Sequence, residues 1–486
     1  MRRILYHWIA ATSLLLTLWA HAATRSQYGG TLRVAVSAPL DSLDPAALPA
    51  LSRSEAASEH VAGLIFDTLV RLDENAHPQP QLAHTWRHSD DYKRWQFWLR
   101  PGIRIHDGTP LTPALVAAAM RRHPESWRVD VLGEGIVIES DGAMPGLLAD
   151  LARVRNSIVI AAGDGQLLGT GPFRVAEFQP GRRVVLQANE DYWGGRPFLD
   201  AVEIALGQSL RDQATNLQLG RVDVIEIGPD QVRHALDDRR RVAVSSPSEL
   251  MGLWFPRSKA TDAAGRARET RLREALWLSI DRAAIHNFLL QRQGEPAESL
   301  LPQWISGFAF SFTAGPNLKR ARQARAESGW ATPLTIAYEP NDALARAVAE
   351  RVAVNARDAG LNVQAHALNT RGLVYDAVLF RAPLQSADPQ AALMGLATAL
   401  FPDDLPKVRA AAEPLDQFVF ERTLNLGAAG VAGPVVPIVY LPQAFGLSAR
   451  VNNWNQPRDG SWRLADSWIS APQGKTGTAG DSIGAR

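Results

Sequence analysis

The chain has 486 residues, 51 of them lysine or arginine and 50 aspartate or glutamate, with 46% hydrophobic residues and no cysteine. Near-neutrality removes the electrostatic reason to expect nucleic acid or an anionic membrane as partner, and the missing thiols exclude disulfides, thiolate metal sites and a lipid-anchoring cysteine. Such a length exceeds what one hydrophobic core usually organises, so two or three domains are expected.

Arg2 and Arg3 precede an apolar run from Ile4 to Trp19 that closes on Ala20-His21-Ala22. A charged start, an apolar middle and small residues at the end make the layout of a secretory signal over residues 1–22, cleaved after Ala22. The run is about 16 residues long and broken by His7, short of the roughly 20 that a bilayer-spanning helix needs. Its removal leaves 49 basic against 50 acidic residues.

Beyond this segment short apolar runs alternate with amphipathic ones, the pattern of an α/β fold. Tyr28-Gly29-Gly30 leads into a buried strand over residues 32–36, and Ser37-Ala38-Pro39-Leu40-Asp41 forms a loop at its carboxyl end, where open α/β sheets hold ligands. Ser42-Leu43-Asp44-Pro45 and Ile65-Phe66-Asp67-Thr68-Leu69-Val70 follow. Residues 86–105 form a meander, with β-rich composition around a Pro101-Gly102 turn. After His106-Asp107-Gly108-Thr109-Pro110-Leu111, Thr112 supplies a hydroxyl N-cap and Pro113 the first position of a helix to about Arg121. Residues 135–160 give a strand, a short helix and a strand, and about 50–168 together form a small subdomain.

Gly169-Thr170-Gly171-Pro172-Phe173 returns the chain to a strand, through glycines that suit a turn or a close backbone approach. It lacks the third glycine and the Lys-Ser/Thr ending of a phosphate loop. A helix ends at Gly220 and a strand follows through Val222-Asp223-Val224. A second lobe opens near Leu253-Trp254-Phe255, and Asp281 caps a helix over 282–293 that Gly294 terminates. Then come a strand at 334–338, a cap at Asn341 or Asp342, a helix at 343–358 with Leu344, Val348 and Val352 on one face, and a strand at 361–365. Tyr375-Asp376-Ala377-Val378-Leu379-Phe380 is another buried strand, 435–440 carries the chain back to the first lobe, and 463–468 completes it. Residues 471–486, rich in Gly, Ala, Ser and Thr, read as a disordered tail.

The succession of motifs from residue 28 to 112, with Asn189-Glu190-Asp191-Tyr192-Trp193-Gly194-Gly195-Arg196-Pro197 and Leu217-Gln218-Leu219-Gly220-Arg221-Val222-Asp223, resembles the extracytoplasmic solute-binding proteins of ABC importers, in the family of oligopeptide, dipeptide and nickel binders. The resemblance covers roughly residues 28–470 and is densest before residue 305. It implies an α/β, two-lobed periplasmic-binding-protein fold of class II type. The first lobe would comprise 28–252 and 440–470 and carry the small subdomain; the second would comprise 253–439, with the ligand cleft between them. It implies a monomeric periplasmic protein that captures a small solute, a peptide or peptide-sized organic molecule, and delivers it to the membrane permease subunits of an ABC importer, without catalysis, cofactor or metal. A different class keeps the scaffold as a periplasmic sensor or chaperone-like protein, and a third is a periplasmic hydrolase.

In peptide-binding relatives the strand like 375–380 runs into a cleft loop with a tryptophan and an aspartate, the latter pairing with the peptide's amino terminus. Alignment on Asp376 and Asp388-Pro389 puts Ala382 at the first position and Gln385 at the second. Gln385 cannot make the charge-assisted bond that offsets desolvation of an ammonium; Asp388 either substitutes for it or serves as a turn residue before Pro389. Arg381 pairs with a ligand carboxylate or phosphate, or else with a neighbouring acid. Trp254 and Phe255 make an apolar cleft wall or core. Leu40, Asp41, Tyr338 and Glu339 are candidates because they follow strands at cleft edges. Shortened stretches at 121–169 and 394–426 point to a smaller or more open pocket.

Enzymatic motifs are weaker. His106-Asp107 stands alone; His84 and His88 have metal-ligand spacing, but Thr85 occupies the place of a metalloprotease's general-base glutamate; Glu74 and His77 sit in a turn before Pro78. Gly480-Asp481-Ser482-Ile483-Gly484 matches a nucleophile elbow with no strand before it or helix after it. Sequencing the protein recovered from the periplasm of an expressing cell is expected to give Ala23 as its first residue.

Overall fold

The computed structural model describes residues 27–47, 53–122, 127–163, 165–256, 258, 260–306, 315–384, 386–400, 426–427, 431–432, 434–458 and 460–470. The expected leader and tail lie outside them. The first strand forms as β1 (Thr31–Ala35), followed by helix α1 (Arg53–Ile65). Next comes a separate four-stranded antiparallel sheet made of β2 (Ala83–His88), β3 (Arg94–Leu99), β4 (Arg128–Leu132) and β5 (Gly135–Glu139), in the order β2-β3-β5-β4. Helix α2 (Pro113–Met120) begins as its sequence predicts, with the Leu115 N–H donating to Thr112 Oγ1 at 3.3 Å. Its Val116, Ala117 and Met120 pack on Trp95, Phe97, Ile136 and Ile138 of the sheet, a core of its own that makes this stretch a subdomain.

After α3 (Leu147–Leu151) the chain returns to the main sheet. The turn that does this shows why its glycines are needed: a methyl at Gly169 would lie 2.1 Å from the Ile65 carbonyl oxygen, and one at Gly171 2.6 Å from the same carbonyl. With no side chain in the way, the Gly171 N–H donates to Ile65 O at 2.9 Å. β6 (Phe173–Gln179), β7 (Arg183–Ala188) and β8 (Ala201–Ala205) follow, then α4 (Leu210–Gln218) and β9 (Val224–Ile227). β1 lies parallel between β8 and β9, and Leu32 and Val34 are sealed in the first lobe's core. Asp223, buried, accepts from the side chains of Arg33 (3.0 Å) and Arg450 (3.3 Å), tying the start of β9 to β1 and to the chain's return.

β10 (Arg241–Trp254) enters the second half, where α5 (Ala263–Ser279) and α6 (Arg282–Ala284) follow. The helix expected over 282–293 is not continuous. Asp281 caps α6, accepting from the Ala284 N–H at 2.8 Å, but residues 285–289 widen into a π turn and Gln291 and Arg292 take φ of 50° and 68°. The chain must reverse here so that Glu295–Pro296 can lie against a main-sheet strand. Arg282, buried, fastens the bend by donating to the carbonyls of Trp277, Ala297 and Pro437.

Then come α7 (Leu318–Ser328), β11 (Leu334–Tyr338), α8 (Ala343–Asp358), β12 (Val363–Ala367), β13 (Ala377–Pro383), α9 (Pro389–Leu400) and β14 (Val435–Leu447). Asp342 caps α8, and Leu344, Val348 and Val352 of one face fill the second core with Leu334, Ile336 and Leu379. β11 lies parallel between β12 and β13, as a crossover unit requires.

One path of strands joins everything: β6-β7-β8-β1-β9-β14-β10-β13-β11-β12. The long antiparallel pair β10 and β14 is common to both halves. Arg241–Val244 pair with residues 447–444 beside the first core, whereas Glu249–Trp254 lie between β14 and β13 in the second. Between them the register shifts, and Pro247 faces Pro442. Neither proline has an N–H for the ladder, so the sheet is locally loosened where the halves meet. Gly171→Val is expected to lower the unfolding free energy by about 3 kcal/mol, and Gly163→Ala, with nothing within 4 Å of the added carbon, to change it by less than about 0.5 kcal/mol; urea denaturation followed by circular dichroism measures both.

Candidate functional site: the cleft between the lobes

A cavity of about 480 Å³ opens between the two halves. The first half supplies most of its wall: the end of α1, residues 66–68, 71–73 and 81, Tyr192-Trp193-Gly194 and residues 461–466. From the second half come Pro383, Leu384, Ser386 and Ala387, the loop after β13. The volume sits in the lower part of the ~300–1,000 Å³ range of small-molecule sites.

Asp67 organises the first-half wall. Its buried carboxylate accepts from Gln81 Nε2 at 2.8 Å, Thr170 Oγ1 at 3.0 Å and Trp193 Nε1 at 2.8 Å, fastening three separate segments to one side chain. Burial pushes its pKa above the ordinary carboxylate value, outweighing the three donors. The neighbouring Tyr192 hydroxyl is driven well above its usual pKa by burial, with the negative charges of Asp67 and Asp466 adding and Arg71 opposing. Trp193 lies under the Arg100 guanidinium, 4.8 Å from its ring centre.

An aromatic group closes another side of the cavity. His60 of α1 stacks on Trp462, ring centres 4.9 Å apart, and Phe445 meets the Trp462 edge at 5.7 Å. His60 Nε2 lies 2.7 Å from Gln443 Oε1, and the Gln443 N–H donates to Ser245 Oγ at 2.9 Å, so this wall is bonded to both crossing strands. Outside the lining, Gly146 before α3 faces Gln390 in the first turn of α9; a Cβ there would lie 2.8 Å from Gln390 Oε1.

The residues singled out in the sequence stand mostly behind this lining. Leu40 is in the first core, its carbonyl accepting from Gly181 N–H, and Asp41 is exposed outside the cavity. Trp254 packs against the core beneath α9, and Phe255 and Tyr338 against the second core, with the Arg273 guanidinium 5.9 Å from the Phe255 ring centre. Glu339 has its pKa raised by partial burial and by Asp342. Arg381 is enclosed between two acids: its Nε donates to Glu249 Oε1 at 2.9 Å, its Nη2 to the other oxygen of Glu249, and its Nη1 to Asp342 Oδ2 at 2.9 Å. Burial works against its charge, and the two carboxylates override that and raise its pKa. Asp388 caps α9, accepting from the Ala391 N–H at 2.9 Å, with its carboxyl pKa raised by burial. Gln385 lies outside the described residues. The loop carrying these last residues does reach the cavity, through the four residues named above.

Sequence reading passed over Asp67, His60, Arg71, Tyr192, Trp193, Trp462, Arg463 and Asp466, all in the lining. Asp67, Tyr192 and Trp193 lie within the family-like motifs, which was the available signal. His106 has both ring nitrogens engaged, Nδ1 by the Gly169 N–H at 3.3 Å and Nε2 at 3.2 Å from Gly171 O, and burial lowers its pKa to about 4. His84 and His88 share β2, while Glu74 and His77 sit in a turn whose Asp73 accepts the N–H groups of Asn75 and His77. Among the described residues no group of three or more His, Asp or Glu is arranged to hold a metal. The Ser482 motif lies outside them.

The profile of bacterial extracellular solute-binding proteins, family 5, matches residues 136–410, more than half of the chain. The chain belongs to this family. The uncharacterized protein YhjP of Bacillus subtilis is 36% identical over 186 residues, covering 35% of this chain and 31% of that one. The "Probable D,D-dipeptide-binding periplasmic protein DdpA" of Escherichia coli is 26% identical over 291 residues, 54% and 55% of the two chains. The HTH-type transcriptional regulator SgrR of Pectobacterium atrosepticum is 27% identical over 296 residues, 56% and 48%. The chain thus spans about a third to a little over half the length of these curated relatives. Among solved structures, NikZ from Campylobacter jejuni in complex with Ni(L-His) superposes with a TM-score of 0.74 at 18% identity, over 90% of this chain and 99% of that one. DppA from Helicobacter pylori in complex with the peptide STSA gives 0.72 at 19% identity, over 91% and 99%. The α/β architecture is therefore the two-lobed fold of family 5, and the cavity lies between its lobes. No helix among the described residues is long and apolar enough to cross a membrane.

Asp67→Asn places an amide N–H₂ against a group of donors and is expected to cost about 1–3 kcal/mol. Because the folded pKa of Asp67 is raised, wild type gains stability as pH falls through that value, and the substituted protein lacks the gain. The gap between the two should widen from neutral to acid pH, as urea denaturation at several pH values will measure.

Proposed function

We propose that this protein is the solute-binding component of an ABC importer, capturing a peptide or peptide-sized organic solute in the interlobe cleft and delivering it to the membrane permease. The observation that carries this reading is the cavity itself, built by both lobes of a family 5 fold around a loosened pair of crossing strands. Ligand contacts on both walls favour the closed arrangement, and the binding free energy shifts the open-to-closed equilibrium. The name of DdpA and the peptide bound to DppA support a peptide-like cargo. The amino-terminal Arg2-Arg3 and apolar run support export to the periplasm by a cleaved leader, and the absence of cysteine supports a protein free of a lipid anchor. We place the first lobe at 28–252 with 440–470 and the second at 253–439, acting as a monomer, with no chemistry performed on the cargo.

A second reading, a periplasmic sensor on the same scaffold, is favoured by the match to the regulator SgrR. Mass spectrometry of ligand released on denaturing protein purified from the periplasm separates the two. A discrete small solute near one per chain is the expected result. An empty protein whose melting temperature is unmoved by a panel of peptides and metabolites would favour the sensor.

A further inference from the structure

Every charged side chain lining the cleft can be assigned a partner except three. Asp67 is engaged by three neutral donors. Asp73 takes the N–H groups of Asn75 and His77 and the Gln79 amide of its own turn. Glu59 is also engaged. Arg71, Arg463 and Asp466 remain, exposed in the cavity wall, with neither guanidinium nor the Asp466 carboxylate in a hydrogen bond or ion pair among the described residues. All three line the same cavity as Tyr192 and Trp193. Among the described residues the second lobe's share of the lining, Pro383, Leu384, Ser386 and Ala387, carries no charge, and its Arg381 is enclosed by Glu249 and Asp342.

We infer that the cleft holds a small zwitterion of di- or tripeptide size by its two ends, Asp466 receiving the ammonium and Arg71 and Arg463 the carboxylate; this rests on the binding-protein reading above. A carboxylate accepts the ammonium's donors, and a guanidinium fork matches a planar carboxylate. The pole for the ammonium thus belongs to the first lobe, whereas the family's usual position for it, in the second lobe, carries the uncharged Gln385. Size agrees: at about 480 Å³ the cavity lies in the lower part of the ~300–1,000 Å³ range of small-molecule sites, room for a di- or tripeptide.

Titration calorimetry of the purified full chain with dialanine and trialanine, each unblocked, N-acetylated or C-amidated, tests this. Blocking either end is expected to weaken binding about 10- to 100-fold, because a lining charge is left desolvated without its partner. Asp466→Asn should remove the penalty of acetylation alone, and Arg71→Gln with Arg463→Gln that of amidation alone; thermal unfolding confirms that these exposed substitutions leave the fold intact. Equal affinity for blocked and unblocked peptides would overturn the inference while leaving peptide binding standing. A co-purified ligand together with no peptide binding would overturn it while leaving solute binding standing. An empty protein that binds none of these peptides would remove both.

Discussion

The pairing of β10 with β14 is the constraint on which the rest depends. Each strand is long enough to serve two hydrophobic cores, so neither lobe can be displaced without bending the same two strands. The bend has one economical place, where Pro247 faces Pro442 and the register shifts on both sides. Other bonds stand around the break: the Gln443 N–H donates to the Ser245 side-chain Oγ, Trp304 Nε1 to Pro247 O, and the Leu384 backbone N–H to Ser248 O. Two of these residues, Leu384 and Gln443, also line the cavity. Cleft and crossing strands are therefore neighbours by covalent sequence, and a ligand that moves one acts on the other without an intervening relay.

The two lobes contribute unlike things to the site. From the first come the fixed polar framework on Asp67, the aromatic stack on His60 and the rim charges. From the second come, among the described residues, the uncharged Pro383, Leu384, Ser386 and Ala387, while Arg381 just before them is paired internally. Sealing Arg381 between two acids avoids the large penalty of a lone buried charge. It also leaves no charge on the described part of that lobe's cleft wall.

The architecture was legible in the sequence wherever its cause was local. Thr112, Asp281 and Asp342 each cap a helix with a side chain that reaches three residues ahead, and the spacing of Leu344, Val348 and Val352 marks a buried face without further context; Asp388, read as a turn residue or a ligand group, also proves to be a cap. The continuous helix expected over 282–293 failed for a non-local reason: the need to lay Glu295–Pro296 against β14. The fate of Arg381 was likewise hidden, since its partners lie 132 and 39 residues away in the chain. Tyr192 and Asp466 meet at the cleft only through the fold, and no local pattern relates a motif near residue 67 to a loop that follows the second crossing. The resemblance to a family located the cleft, but residues carrying its charges had to be read from coordinates.

Between the subdomain and α9, Gly146 faces the rotatable amide of Gln390. Such a contact buries little area and makes few dispersion contacts. A methyl at position 146 would therefore press first on a side-chain amide that can swing aside, and not on the backbone.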